Sequence, residues 1–234
     1  MGQFLHTFFS PLDFLRAVPT VWNGFQLNIK LMVFAEALVL VLALLVAIVR
    51  GLPGRAAGPF RAIAIAYTDI FRGTPLILVL FIVQGFATLN YVGLSAGTLF
   101  RNGLIALTLV YTAYVTEVYR AGIESVHPSQ RMAARSLGLS YAQTMRYVVL
   151  PQAIRRVVPP LLNDFIGLQK DTALITIIGL TEAVAQANFY ASDYFNYAGL
   201  TVAAVFFIFL TIPLARFTDH IIKEREKRER AQAV

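Results

Sequence analysis

The chain has 234 residues, of which 57% are hydrophobic and only 14% charged. A soluble domain carries about 25% charged residues, so lipid is the expected solvent, and the length leaves room for one membrane domain of roughly five spans. Cysteine is absent and the three histidines, at 6, 127 and 220, lie far apart, which argues against disulfides, thiolate metal sites and any His-based metal centre or triad. A net charge of +7 would suit nucleic acid. Here, however, the basic residues sit in the connections and tail of a hydrophobic chain, as the positive-inside rule describes, and no nucleic-acid partner is expected.

Residues 1–26 read as an extracytoplasmic, interfacial segment. Phe4, Leu5, Phe8 and Phe9 precede Pro11 without a basic n-region or a small-residue cleavage site, so the segment reads as mature protein lying at the interface rather than a signal peptide; a mobile tail is the alternative. The membrane domain is expected over 27–217. Its first span, 27–49, would reach roughly 35 Å as a helix, enough to cross with some tilt. It contains Glu36, a carboxylate whose mid-membrane cost of about 2.5–3.5 kcal/mol calls for protein surroundings or protonation, in a subunit contact or in a transport path.

The second span, 63–86, is interrupted by Asp69, Arg72 and the Gly73-Thr74-Pro75 triplet. The i,i+3 spacing of Asp69 and Arg72 suggests a brace beside a helix break. The third span is 104–119, with Glu117 and Arg120 at the same spacing at its end. The fourth, 158–179, is unusually polar. The fifth is 197–217, followed by a charged tail, 218–234, in which Glu224 precedes Arg228 and Glu226 precedes Arg230 at helical i,i+4 spacing.

Five spans place the termini on opposite sides. With the C-terminus inside, fifteen Lys and Arg residues face the cytoplasm: Arg50, Arg55 and Arg61; Arg120, Arg131, Arg135, Arg146, Arg155 and Arg156; Arg216, Lys223, Arg225, Lys227, Arg228 and Arg230. Only Arg16, Lys30 and Arg101 lie outside. The asymmetry sets the N-terminus outside and the C-terminus in the cytoplasm, and it makes 120–158 a cytoplasmic loop.

That loop holds the most informative stretch of the chain. Residues 130–139 read Gln-Arg-Met-Ala-Ala-Arg-Ser-Leu-Gly-Leu, and 148–153 read Val-Val-Leu-Pro-Gln-Ala. Helix formers run up to Gly138, which can end a helix with positive φ. Pro151 begins or kinks the next helix. The intervals among Ala133, Ala134, Gly138, Val148, Leu150 and Pro151 resemble the "EAA" cytoplasmic loop of ABC importer permeases; Met132 stands where that family has Glu. Glu117-Val-Tyr-Arg120-Ala-Gly122, Phe71-Arg72-Gly73-Thr74-Pro75-Leu76, Asn163-Asp164-Phe165 and Lys170-Asp171-Thr172-Ala173-Leu174 are similar to stretches of the permeases for polar amino acids. The family usually has Ser at Ala173 and Thr at Asn28. The similarity covers about 63–182.

The resemblance implies an all-α integral membrane protein with the five-transmembrane-helix ABC importer permease fold (type I, MetI-like). It also implies that Gln130, Arg131, Met132, Ala133, Ala134, Arg135, Gly138, Leu150 and Pro151 form the coupling surface for an ATPase. With Met132 in place of Glu, that contact is apolar or shared by Arg131 and Arg135. Expected partners are an ATP-binding cassette ATPase dimer, a second permease subunit (a copy or a paralogue), an extracytoplasmic amino-acid-binding protein and a polar amino-acid substrate. The expected location is a bacterial or archaeal cytoplasmic (inner) membrane. No Walker A pattern occurs: Gly167-Leu168-Gln169-Lys170-Asp171 lacks the leading Gly and the Ser or Thr after Lys. No cofactor is therefore expected in this chain, and ATP and Mg belong to the ATPase.

Asn163, Asp164, Lys170, Asp171 and Thr172 are the candidates for the substrate path. Asn163 and Lys170, and Asp164 and Asp171, are each seven residues apart, two turns along one helical face. Gln169 belongs to the same polar run. A cavity for an amino acid's charged groups is one reading and inter-subunit hydrogen bonding the other. The rival functions are import of another small polar solute, a channel or ion-coupled carrier, and a membrane enzyme. The cytoplasmic loop speaks against the channel and carrier, which need no ATPase dock, and the enzyme lacks a clustered His, Asp or Glu constellation.

Overall fold

A computed structural model describes residues 7–52, 54–89 and 96–232. Among them there is no strand. Helix α1 runs Pro11–Arg50, 40 residues, and starts well before the expected 27. The Ser10 hydroxyl caps it by accepting from the Asp13 amide at 3.4 Å, Pro11 occupies its first turn, and Asp13 faces the positive helix end. Residues 11–26 are thus a helical continuation of the first span. Pro19 lies inside it, tolerated where neighbouring helices support the chain.

The second span is two helices, α2 (Gly58–Gly73) and α3 (Leu76–Leu89), meeting at 109°. Thr74 adopts the extended conformation imposed by the following proline, and its hydroxyl donates to the Ile70 carbonyl at 2.8 Å. The third span is α4 (Ala96–Glu124), 29 residues. Its Thr108, Thr112 and Thr116 are buried, so neighbouring helices rather than lipid cover its polar groups.

The segment expected to form the cytoplasmic loop contains α5 (Pro128–Ser136) and α6 (Tyr141–Thr144), a π-helical turn Met145–Val149, and the start of α7 (Leu150–Asp171). The π turn lies just before Pro151, whose ring would clash with a regular preceding turn. A 3₁₀ turn, Thr172–Ile178, continues α7. Beyond Glu182 the chain bends by 52° into α8 (Ala183–Tyr194), which lies between the expected fourth and fifth spans. Helix α9 (Ala198–Gln232) carries the fifth span unbroken into the tail.

Helices α1 and α9 are each long and apolar enough to cross a membrane, and the two bent pairs meet the same test when each is taken as one span. The main core joins Leu31, Ala35 and Val39 of α1 to Leu80 of α3, Leu107 and Val115 of α4 and Leu168 of α7. A second cluster joins Ala17, Val21 and Phe25 of α1 to α8 and α9. Outside these cores, Phe34, Val41, Leu45, Phe81, Ile82, Phe209 and Ile212 are exposed. Helices apolar all round in this way are those of a membrane domain.

Polar ties fix the ends. Asn28 of α1 donates to the Thr172 hydroxyl at 3.1 Å and to Glu182 at 2.9 Å, and accepts from the Ala183 amide at 3.1 Å. Glu182, fully buried, also caps α8 through the Val184 and Ala185 amides. At the end of the bundle nearest the 120–158 loop, Glu117 binds Arg50 and, at 2.7 Å, Arg120, so the expected Glu117–Arg120 brace extends to α1. Arg120 also pairs with Glu124; the two carboxylates hold its guanidinium more firmly protonated than usual. Gly122 sits where α4 meets α7, and a Cβ there would overlap the Val157 side chain. In the tail Lys227 pairs with Glu224 at 3.4 Å. The Phe4 and Leu5 contacts and the expected Glu224–Arg228 and Glu226–Arg230 pairs lie outside the described residues and side chains.

Candidate functional site

A cavity of about 460 Å³ opens where the second span breaks. The α2–α3 elbow contributes Arg72, Gly73, Thr74, Pro75 and Leu76; α4 contributes Val110, Tyr111 and Tyr114; α7 contributes Asn163, Asp164, Gly167 and Asp171. The elbow makes the space, since a straight second span would carry side chains through it. Tyr111 donates its hydroxyl to Asp171 at 2.8 Å, which fixes that carboxylate against the wall. One Asp164 oxygen is shielded from water and has no hydrogen-bond partner in the chain. The Arg72 guanidinium lies over the Tyr114 ring, 5.9 Å from its centre. An arginine, two carboxylates, an asparagine and two phenols thus converge on a space of ligand size.

Of the path candidates, Asn163, Asp164 and Asp171 are brought together here. Lys170 is exposed and does not line the cavity. Thr172 is fully buried and bound to Asn28 in the joint between α1 and the 3₁₀ turn. Both placements follow from the helical geometry: Lys170 and Thr172 flank Asp171 and point away from it. Gln169 faces the opposite side and accepts from Thr211 of α9 at 2.7 Å. One correction concerns Asp69 and Arg72, which form no ion pair among the described residues; Arg72 turns to Tyr114 instead. Glu36 is half-buried on α1 and is not part of the cavity wall. Tyr111 and Tyr114 escaped the sequence reading because they lie in an apolar run, though their i,i+3 spacing marks one face.

The loop between α4 and α7 is the second candidate surface. Helix α5 starts at His127, whose ring nitrogen accepts from the Ser129 amide at 3.2 Å, with Pro128 in the first turn. It ends at Gly138, φ 86°. The Gly138 amide donates to Arg135 at 3.0 Å and the Leu139 amide to Ala134 at 3.2 Å, the Schellman pattern that satisfies the last carbonyls. Ser140 and Gln143 then form a capping box for α6.

Gln130, Met132, Ala133, Arg135 and Gly138 face solvent, Met132 at 63% exposure and the neighbouring Leu137 at 81%. Leu150 and Pro151 are also exposed. Ala134 is buried and Arg131 half-buried, its guanidinium donating to the Ile123 carbonyl at 2.5 Å; these two seat the helix. Gln152 of α7 donates to Gln130. Through this bond and the Val126, Val149 and Ala153 cluster, the loop is attached to the helix that lines the cavity.

The family described as "Binding-protein-dependent transport system inner membrane component" matches residues 54–227. The chain belongs to this family. As a member it is a multi-pass membrane transport subunit. It is 31% identical over 219 residues to the arginine transport system permease protein ArtQ of Bacillus subtilis (strain 168), covering 92% of this chain and 98% of that one. It is 33% identical over 210 residues to the probable glutamine ABC transporter permease protein GlnM of the same organism, covering 88% and 93%. Among solved structures, an amino acid ABC transporter with histidines superposes with a TM-score of 0.83 at 29% identity over 91% of this chain and 97% of that one. The MetNI methionine ABC transporter superposes at 0.71 and 17% identity, over 88% and 95%, and shares the fold. The all-α, type I importer permease fold expected from the sequence is the fold of this family member.

Proposed function

We propose that this permease carries polar amino acids across a bacterial or archaeal cytoplasmic membrane as the transmembrane subunit of an ATP-driven importer. The observation that carries the reading is the continuity of one structural piece. The segment from α5 through α7 bears the exposed, apolar-tipped loop of Met132 and Leu137 at one end and the Asp164–Asp171 wall at the other. Movement imposed on the loop is thereby transmitted to the cavity without covalent chemistry on the substrate. The arginine and glutamine relatives named above support amino acids as the cargo class.

In this reading Gln130, Met132, Ala133, Arg135, Gly138, Leu150 and Pro151 meet the ATPase. Arg131 and Ala134 hold the loop in place. ATP and Mg reside on an ATPase dimer, a second permease copy or paralogue completes the path, and an extracytoplasmic binding protein delivers the substrate. The N-terminus lies outside and the C-terminus in the cytoplasm. The test is affinity purification of the tagged chain from its host membrane, with the co-purifying chains identified by mass spectrometry. An ATP-binding cassette subunit in stoichiometric amount is expected. A chain that purifies intact and active in transport without one would overturn the proposal.

A further inference from the structure

The cavity's charges do not balance. Arg72 is the one cation among its lining residues, while Asp164 and Asp171 supply two carboxylates. Lys170, next to Asp171 in sequence, is exposed and outside the lining, so it does not bring a second cation to the wall. The two carboxylates also differ in their surroundings. Asp171 accepts from the Tyr111 hydroxyl at 2.8 Å, whereas one oxygen of Asp164 is shielded from water and lacks any partner in the chain.

Any α-amino acid brings one carboxylate and one ammonium group. Arg72 matches the first and a single carboxylate matches the second. One acidic side chain is then left over. With a neutral cargo it stays uncompensated in a space from which bulk water is partly excluded, which is costly. A cationic cargo side chain removes the imbalance. The wall suits such a group in a second way: the Tyr111 and Tyr114 rings lie 6.3 Å apart, and one already holds a guanidinium, that of Arg72, at 5.9 Å. Phenol faces attract a further cation, and a carboxylate oxygen facing the cavity accepts a charge-assisted bond from a guanidinium or an ammonium. The volume of about 460 Å³ accommodates a long side chain, within the range of ligand cavities.

We infer that the cavity selects amino acids with a cationic side chain, arginine or lysine, over neutral and acidic ones, with Asp164 as the specificity-determining residue. The inference rests on the cavity being part of the amino-acid path proposed above. A delivering protein would impose its own selectivity, so the test leaves it out.

The purified permease–ATPase complex is placed in nanodiscs without the binding protein. Equilibrium binding of radiolabelled arginine is competed with lysine, glutamine and glutamate. Lysine should displace arginine, while glutamine and glutamate should be at least about tenfold weaker, a difference of ~1.4 kcal/mol. Asp164→Asn should weaken arginine binding by about tenfold and narrow the gap to glutamine; Asp164→Glu, which keeps the charge, should retain the preference. Displacement by glutamine as effective as by lysine would overturn the cationic preference while leaving the path intact, and this arm needs no variant. Unchanged arginine binding in a monodisperse Asp164→Asn complex would overturn the role of Asp164. Arginine bound with unaltered affinity in Asp164→Asn, Asp171→Asn and Arg72→Gln alike, or no displaceable binding of any amino acid, would remove the cavity from the path altogether.

Discussion

Gly138 gives the sharpest access to the loop proposed to meet the ATPase. Its φ of 86° ends α5 and lets the Gly138 and Leu139 amides close on Arg135 and Ala134. A side chain at this φ costs about 1–2 kcal/mol in the backbone alone. No atom lies within 4 Å of a Cβ built at Gly138, so no steric clash adds to the penalty. The turn should shift away from its native geometry by about 5- to 30-fold, since each 1.4 kcal/mol is a factor of ten. Asn, which enters the left-handed region more readily, should fall at the mild end, Ala between, and β-branched Val at the severe end. The assay is substrate-stimulated ATP hydrolysis by the reconstituted complex, with membrane insertion checked in parallel. Stimulation should fall in the order Gly, Asn, Ala, Val while insertion stays normal, because the turn is exposed and remote from the spans. Full stimulation in an inserted Gly138→Val protein would refute the docking role of this turn.

Asn28→Leu removes two donated bonds and one accepted bond at a buried joint, one of them to the Glu182 carboxylate; about 3–5 kcal/mol of destabilisation is expected, seen as an earlier thermal loss of monodisperse protein, and an unchanged transition would show that the joint is not structural. The absence of native cysteine permits a topology test: Ser129→Cys should react with an impermeant thiol reagent only from the cytoplasmic side and Ser192→Cys only from the opposite side, and labelling of both from one face would contradict the orientation.

The parts of the fold governed by strong local rules were legible in the sequence. Gly73-Thr74-Pro75 marked the break in the second span because proline forbids the helical conformation before it. Gly138 and Pro151 marked the two joints of the loop between α4 and α7 for similar reasons. Helix α8 was not legible: its Ala-Gln-Ala-Asn-Phe-Tyr sequence has neither a strong apolar run nor a sharp periodicity, and its start is set by Glu182, whose capping role depends on Asn28 far away in sequence. The early start of α1 at Pro11 was signalled by Ser10 and Asp13 but obscured by Arg16 and Pro19. Within the candidate site, heptad spacing put Asp164 and Asp171 on one helical face, and both line the cavity. It also joined Lys170 to Asn163, which the cavity does not follow, because its edge is drawn by Tyr111 of α4. Such an edge is a tertiary property. Arg72 was likewise given a local partner, Asp69, although its ring contact is with Tyr114, 42 positions later.

The central claim is ATP-driven movement of polar amino acids through this chain. Its most direct measurement is uptake of a labelled amino-acid mixture into proteoliposomes holding the permease with its ATPase and binding protein. Accumulation should require hydrolysable ATP on the ATPase side and vanish with a non-hydrolysable analogue. Accumulation driven by an ion gradient without ATP, or none of any amino acid by a complex that hydrolyses ATP in response to its binding protein, would contradict the account.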